Sequence, residues 1–132
     1  MPPRIAFSIL VFPDATLAAA VSLGRRWGYA GIGLRLIDGG LIDPPMPASR
    51  RAQVRRTLAG LPVVAVDSSI RVTGDDPRPE LRRFLELASD GEAPLVRVFG
   101  GALRPPPPRQ QLRAAARVLE DAVLTGWLIS LR

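Results

Sequence analysis

The sequence predicts an α/β fold of consecutive strand–helix units with parallel strands. Four β-prone runs, RIAFSIL (4–10), AGIGLRLI (30–37), PVVAVDSSI (62–70) and PLVRVFGG (94–101), recur about every thirty residues. A helical pattern follows each run, and this alternation requires helical crossovers between parallel strands. No glycine-rich turn follows the first run, which continues VFPDAT, and neither a dinucleotide fingerprint nor a phosphate-binding loop occurs anywhere. Between an open doubly wound sheet and part of a (β/α) barrel, these absences favour the barrel.

The first run closes on FPD, a turn signal that leaves Asp14 or Thr16 as helix N-cap. The helix that follows places Leu17, Ala20, Val21 and Leu23 on one stripe and stops at Gly28. The second run passes through the Gly/Pro-rich DGGLIDPPMP into ASRRAQVRRTLAGL, whose Val54, Leu58 and Leu61 share a side opposite the arginines. After the third run, Asp76 and Pro77 read as N-cap and first helical residue, and Leu81, Phe84, Leu85 and Ala88 form the apolar face up to a stop at Gly91. The fourth run leads through ALRPPPP to a helix from about Arg109 to Thr125, carrying Leu112, Ala116, Leu119 and Val123 and ending at Gly126. A final apolar run, WLISLR, reads as the start of a fifth strand.

With 132 residues, 47% of them hydrophobic, one core is expected. The absence of cysteine removes disulfide and thiolate chemistry, and without histidine no Ser-His or Cys-His nucleophile system can be assembled. The N-terminal apolar stretch is short and broken by Pro13 and Asp14, so it is not read as a signal peptide, and no run is long enough for a membrane span; the expectation is a cytoplasmic protein. The net charge is +6, but all 18 basic residues are arginine, in a composition that resembles the imprint of GC-rich coding. Their pairs on helices (25–26, 50–51, 55–56, 82–83) read as solvated outer faces, so nucleic acid is not the expected partner. RPPPPR (104–109) reads either as a stiff loop or as a polyproline docking segment.

Alternate residues of a barrel strand face the helices and the interior. If Ile32, Leu34, Leu36, Val64, Val66, Val96 and Val98 face the helices, the opposite parity directs Arg35, Asp67 and Arg97 inward, with Ser8 and Ser69 as polar companions. Buried charges are paired or serve a ligand. Two readings follow: Arg35, Asp67, Ser69 and Arg97 bind an anionic or hydroxyl-rich ligand at the C-terminal strand ends, or Asp67 neutralises an arginine within a packed core. The glycines of FGG (99–101) serve either a tight strand exit or close approach of a ligand to the backbone.

RIAFSIL, WGYAGIGLRLIDGG, VVAVDSSIRV and LVRVFGG, in this order and spacing, resemble the first half of a sugar phosphate isomerase/epimerase of the xylose isomerase-like TIM-barrel superfamily. The resemblance covers residues 4 to 125. It implies four βα units and the start of a fifth strand of an eight-stranded barrel, so that residues 1–132 form a partial domain ending after the fourth helix. It further implies a divalent metal, held in a full-length member by carboxylates and a histidine of later strands, and proton transfer between neighbouring sugar carbons.

In this sequence the fifth strand shows Ser130 and Arg132 where the family commonly brings a glutamate, and Gly33 stands where the family often has an acid. The expectation is therefore no catalytic or metal-ligating residue and no cofactor in this chain, with Arg35, Asp67, Ser69 and Arg97 left as a binding set for a sugar or sugar phosphate. Only the loop acids Asp38 and Asp43 would stand beside Asp67 for proton transfer. Unpaired strand edges and an exposed apolar interior would favour association into homo-oligomers, including a dimer closing a pseudo-barrel. An open α/β module binding an anionic partner is the alternative.

Overall fold

The computed structural model describes residues 2–103, 108–124 and 128–131, and at 108, 123–124 and 128–131 the backbone course alone. The elements run β1 (Ala6–Ser8), α1 (Leu17–Arg26), β2 (Gly31–Leu34), β3 (Leu36–Ile37), β4 (Gly40–Leu41), α2 (Ala48–Leu58), β5 (Val63–Arg71), α3 (Arg78–Asp90), β6 (Leu95–Phe99), α4 (Pro108–Leu124) and β7 (Leu128–Leu131). The polyproline segment at 104–107, the helix stop at Gly126, Trp127 and Arg132 lie outside the described residues.

Five strands form one parallel sheet in the order β1-β2-β5-β6-β7. Each crossover adds its strand on the same side of the last. A doubly wound sheet reverses direction at a switch point; this one winds in a single direction, as a barrel does. Among the described residues, no helix is long and apolar enough to cross a membrane.

The core lies between the sheet and its helices. Ile32, Val96 and Val98 are completely buried on that face, each contributing about 1.5–3 kcal/mol relative to exposure. They meet Leu17, Ala20 and Val21 of α1, Val54 and Leu58 of α2, Leu81, Phe84, Leu85 and Ala88 of α3, and Ala115 and Val118 of α4. Phe7 of β1 lies so close to Gly24 that a Cβ there would fall 2.3 Å from its ring. Gly24 thus completes the buried stripe of α1 where Leu23, only half-buried, was expected.

Several boundaries differ from the sequence reading. The first run is a strand only to Ser8, then turns through a 3-10 helix at Ile9–Val11, with the Ser8 hydroxyl accepting from the Leu10 N–H at 3.3 Å. Ser8 therefore serves this local turn and is not a companion of the interior charges. The second run ends at Leu34. Leu36–Ile37 pairs antiparallel with Gly40–Leu41 around Asp38 and Gly39, both at positive φ (51° and 81°), so the Asp-Gly dipeptide makes a hairpin turn and removes Leu36 from the strand.

In β5 the register gains one residue against β2: Ile32 pairs with Val63, and Gly33 with Ala65. This bulge places Val63 on the helix side where Val64 was expected, and Val64 instead crowds Gly31 on the opposite face. α3 begins at Arg78 rather than Pro77, because Asp76 takes a left-handed conformation (φ 37°) and makes no cap. The buried face of α4 is Ala115, Val118 and Ala122, with Leu112 and Ala116 exposed. The small alanines let that face approach the sheet, and Asp121 on its flank pairs with Arg78 of α3 at 3.0 Å in an exposed bridge.

The arginine pairs are not merely solvated. Arg25 donates to the carbonyls of Leu58 and Ala59 at the C-terminus of α2, where a cation favours the helix dipole. Arg51 donates to Met46 O (2.9 Å), Pro44 O (2.8 Å) and the Asp90 carboxylate, and Arg55 to Asp90 O (3.3 Å). Asp38 plays the converse role at the start of α1. Its carboxylate accepts the Leu17 N–H at 2.8 Å and the Arg50 guanidinium at 2.6 Å, while Thr16 accepts from Ala19.

The Leu17 N–H first, and Arg50 second, hold the Asp38 carboxyl below its ordinary value of 3.8. A depressed folded-state value contributes stability that is present above the unfolded value and lost as pH falls through the folded one. We expect urea denaturation to show Asp38→Asn less stable than the native chain by about 0.5 kcal/mol at pH 7, the gap closing as pH falls from about 4 through the depressed folded-state value. A gap that stays constant to pH 2.5 would show that the Asp38 charge plays no part.

Candidate functional site

The face of the sheet turned away from the helices is lined by the opposite strand parity. Its residues are small or charged in the main: Ala6, Gly31, Gly33 and Ala65 toward β1 and β2, then Asp67, Ser69 and Arg97, with Leu95 and Phe99 on β6. Among the described side chains the exposed apolar interior expected of a partial barrel is thus reduced, because most aliphatic residues fall on the helix side, with Val64, Leu95 and Phe99 the large apolar groups on the open face.

Arg35, Asp67, Ser69 and Arg97 come together on the open face, Arg35 just past β2, Ser69 toward the C-terminal end of β5, and Asp67 and Arg97 at the middle of β5 and β6 rather than at the strand ends expected. Arg35 sits in the bend after β2, its carbonyl held by the Ile42 N–H at 2.9 Å. Its guanidinium crosses to β5, donating to Asp67 O at 3.2 Å and to the Ser69 hydroxyl at 2.7 Å. Asp67 and Arg97 are register partners, and Arg97 Nε lies 3.5 Å from Asp67 Oδ1. That contact is an ion pair without an aligned hydrogen bond, since Nε is buried and makes none. The Arg97 guanidinium also lies over the Phe99 ring, 5.0 Å from its centroid.

Two guanidiniums against one carboxylate leave the cluster cationic. Asp67 does neutralise an arginine, as the packed-core reading expected, yet Arg35 is held by neutral oxygens and Ser69 is exposed. A guanidinium carries five N–H donors, and these two bonds occupy only part of the Arg35 fork.

Ser68 escaped the sequence reading. Completely buried, it donates to Arg97 O at 2.7 Å and accepts the Ile70 N–H at 3.2 Å, fastening β6 to β5 beside the ion pair. A serine on the aliphatic parity between Val66 and Ile70 was the available signal.

The loop acids do not join the cluster. Asp38 is committed to α1 and Arg50, and Asp43 lines a separate cleft with Asp76, Glu80 and Arg83. Among the described residues, no three His, Cys, Asp or Glu side chains stand close enough to hold a metal ion. The donor set of these residues therefore does not fit a metal centre. A Cβ at Gly33 would meet nothing nearer than 3.9 Å, so the missing acid there leaves space.

No protein-family model matches the chain, and no curated protein matches it. Solved structures do. A xylose isomerase domain-containing protein of Salmonella typhimurium LT2 superposes with a TM-score of 0.72 at 14% identity, over 97% of this chain and 48% of that one. A protein of Parabacteroides distasonis ATCC 8503 gives 0.68 at 14%, over 98% and 52%. A xylose isomerase domain protein of Alicyclobacillus acidocaldarius gives 0.58 at 15%, over 97% and 49%. The chain thus spans about half the length of these structures, and its fold is that of the N-terminal half of a xylose isomerase-like TIM barrel.

The Arg97 side chain is 18% exposed and that of Asp67 9%, so removing the carboxylate leaves a largely buried cation unneutralised. Asp67→Asn is expected to lower stability by about 2 kcal/mol, less than for a fully buried pair. Asp67→Asn with Arg97→Met should recover at least half of that in urea denaturation. A loss under about 0.5 kcal/mol would mean that the pair does not hold β5 to β6.

Proposed function

We propose that this chain, folded as the N-terminal half of a xylose isomerase-like barrel, is a binding unit for a sugar or sugar phosphate and carries no isomerase chemistry by itself. The observation that carries the reading is the cluster that runs from the mid-strand Asp67–Arg97 pair to Arg35 and Ser69 toward the C-terminal strand ends, the end at which barrels of this kind hold their ligands. Arg35 and Arg97 would donate to ligand hydroxyls or to an oxyanion, and Ser69 and Asp67 would orient the two guanidiniums. Moving a proton between neighbouring carbons calls for a group that takes it and a group that returns it. Asp67 is the one carboxylate on the open face of the described strands, and Arg97 engages it.

Titration with D-xylose and D-ribose 5-phosphate, followed by NMR, tests this reading. Saturable binding of at least one ligand is expected, weakened about tenfold by Arg35→Gln, or about 1.4 kcal/mol, with no aldose–ketose interconversion when magnesium or manganese is added. Binding indifferent to Arg35→Gln, or turnover by the chain alone, would overturn it.

A second reading is self-association through the edge of the sheet. Ile5, Leu10, Val11 and Trp27 are all exposed around β1, an edge strand of the described sheet, and such apolar edges favour pairing. Light scattering should then give a discrete dimer that Val11→Lys dissociates; a monomer at high concentration would remove this reading.

A further inference from the structure

Beyond the cluster, β5 and β6 continue into two loops that build a second cleft. Val72 N–H donates to Phe99 O at 2.9 Å, and Thr73 N–H to Gly100 O at 3.2 Å. The Thr73 hydroxyl donates to Gly100 O at 2.9 Å and Ala102 O at 3.4 Å. Gly101 takes φ 86°, and a Cβ there would fall 2.2 Å from Thr73 Oγ1 and 3.2 Å from the Arg71 Cβ. Only glycine lets this loop lie so close over Arg71 and Thr73. The Gly74 N–H closes the other side on Arg71 O at 2.9 Å. Between the loops lies a cleft of about 310 Å³, lined by Arg71, Thr73, Gly74, Asp75, Ala102 and Gln111.

The Arg71 and Asp75 side chains both line this cleft, yet among the described residues neither side chain makes a hydrogen bond or an ion pair, and they do not pair with each other. A guanidinium offers only donors and a carboxylate only acceptors. A bare oxyanion would satisfy Arg71 but be repelled by Asp75, whereas neighbouring hydroxyls satisfy both. We propose that this cleft is a second subsite for a hydroxyl-rich ligand, with Arg71 donating to one hydroxyl and Asp75 accepting from the next.

This proposal rests on the reading of the Arg35 cluster as a sugar site and specifies the ligand's length. Ser69 and Arg71 are alternate residues of β5, about 6.6 Å apart at about 3.3 Å of rise per residue, and the register against β6 shifts between Asp67 and Arg71, so the cleft adjoins the first site about one sugar ring further along. A ligand that places one ring in each is a disaccharide.

Calorimetric titration of the full chain with D-xylose and with xylobiose tests this. Xylobiose should bind at least tenfold tighter; Arg71→Gln and Asp75→Asn, both on the exposed surface, should each bring it down to the affinity of xylose without altering xylose itself. Arg35→Gln should weaken both sugars. Equal affinities in the native chain, or a preference that survives both Arg71→Gln and Asp75→Asn, would overturn the second subsite while leaving the first standing. Failure of both sugars to bind would overturn the second subsite, and the first falls with it only if D-ribose 5-phosphate also fails to bind.

Discussion

The burial of one strand parity beneath the helices is the constraint on which the rest of this molecule depends. Ile32, Leu34, Val63, Val66, Val96 and Val98 all face α1 to α4, and a slip of one residue would exchange every one of them with the opposite face. That exchange would bury Asp67 and Arg97 beneath the helices without the open face that now gives their polar ends access to solvent. The position of the charged cluster is thus a consequence of aliphatic packing, and the one-residue bulge at Val64 is what keeps the aliphatic set aligned from β2 to β5.

The same division explains how a chain with 18 arginines folds without dispersing its charge over the surface alone. Arg25, Arg51 and Arg55 reach from one helix to the carbonyl end of another, or to the loop that enters it. Carbonyls at a helix C-terminus lack partners within the helix, and a guanidinium satisfies two at once. Asp38 gives the start of α1 the complementary service from a hairpin turn twenty-one residues away. The outer layer is thereby tied together by charged groups bonded to backbone, which leaves Arg35, Arg71 and Arg97 on the open side of the sheet.

The candidate site was legible to the extent that it follows from period-two alternation. Arg35, Asp67, Ser69 and Arg97 could be placed together because each sits among aliphatic neighbours of fixed parity. What alternation does not encode is where a strand ends. Ser8, read as part of the site, turns into a 3-10 cap because the chain leaves β1 there, and Leu36 belongs to a hairpin because Asp38 and Gly39 adopt positive φ. Ser68 and Arg71 were passed over because their importance lies in what β6 and its loop bring beside them. The apolar stripe of α4 was read one residue out of phase, since alanine-rich helices carry little contrast between their faces.

By itself, the sequence determined the α/β class, the order of strands and helices, the parity that separates core from open face, and the identity of the charges on that face, because each is a local periodic property of the chain. The half-barrel winding was legible as well, while tertiary structure alone decided the bulge that carries Val63 into the core, the pairing of Asp67 with Arg97 rather than with Arg35, and the second cleft at Arg71 and Asp75. Each of those depends on contacts between segments far apart in the chain, whose register and spacing are set by packing and hydrogen bonding in three dimensions.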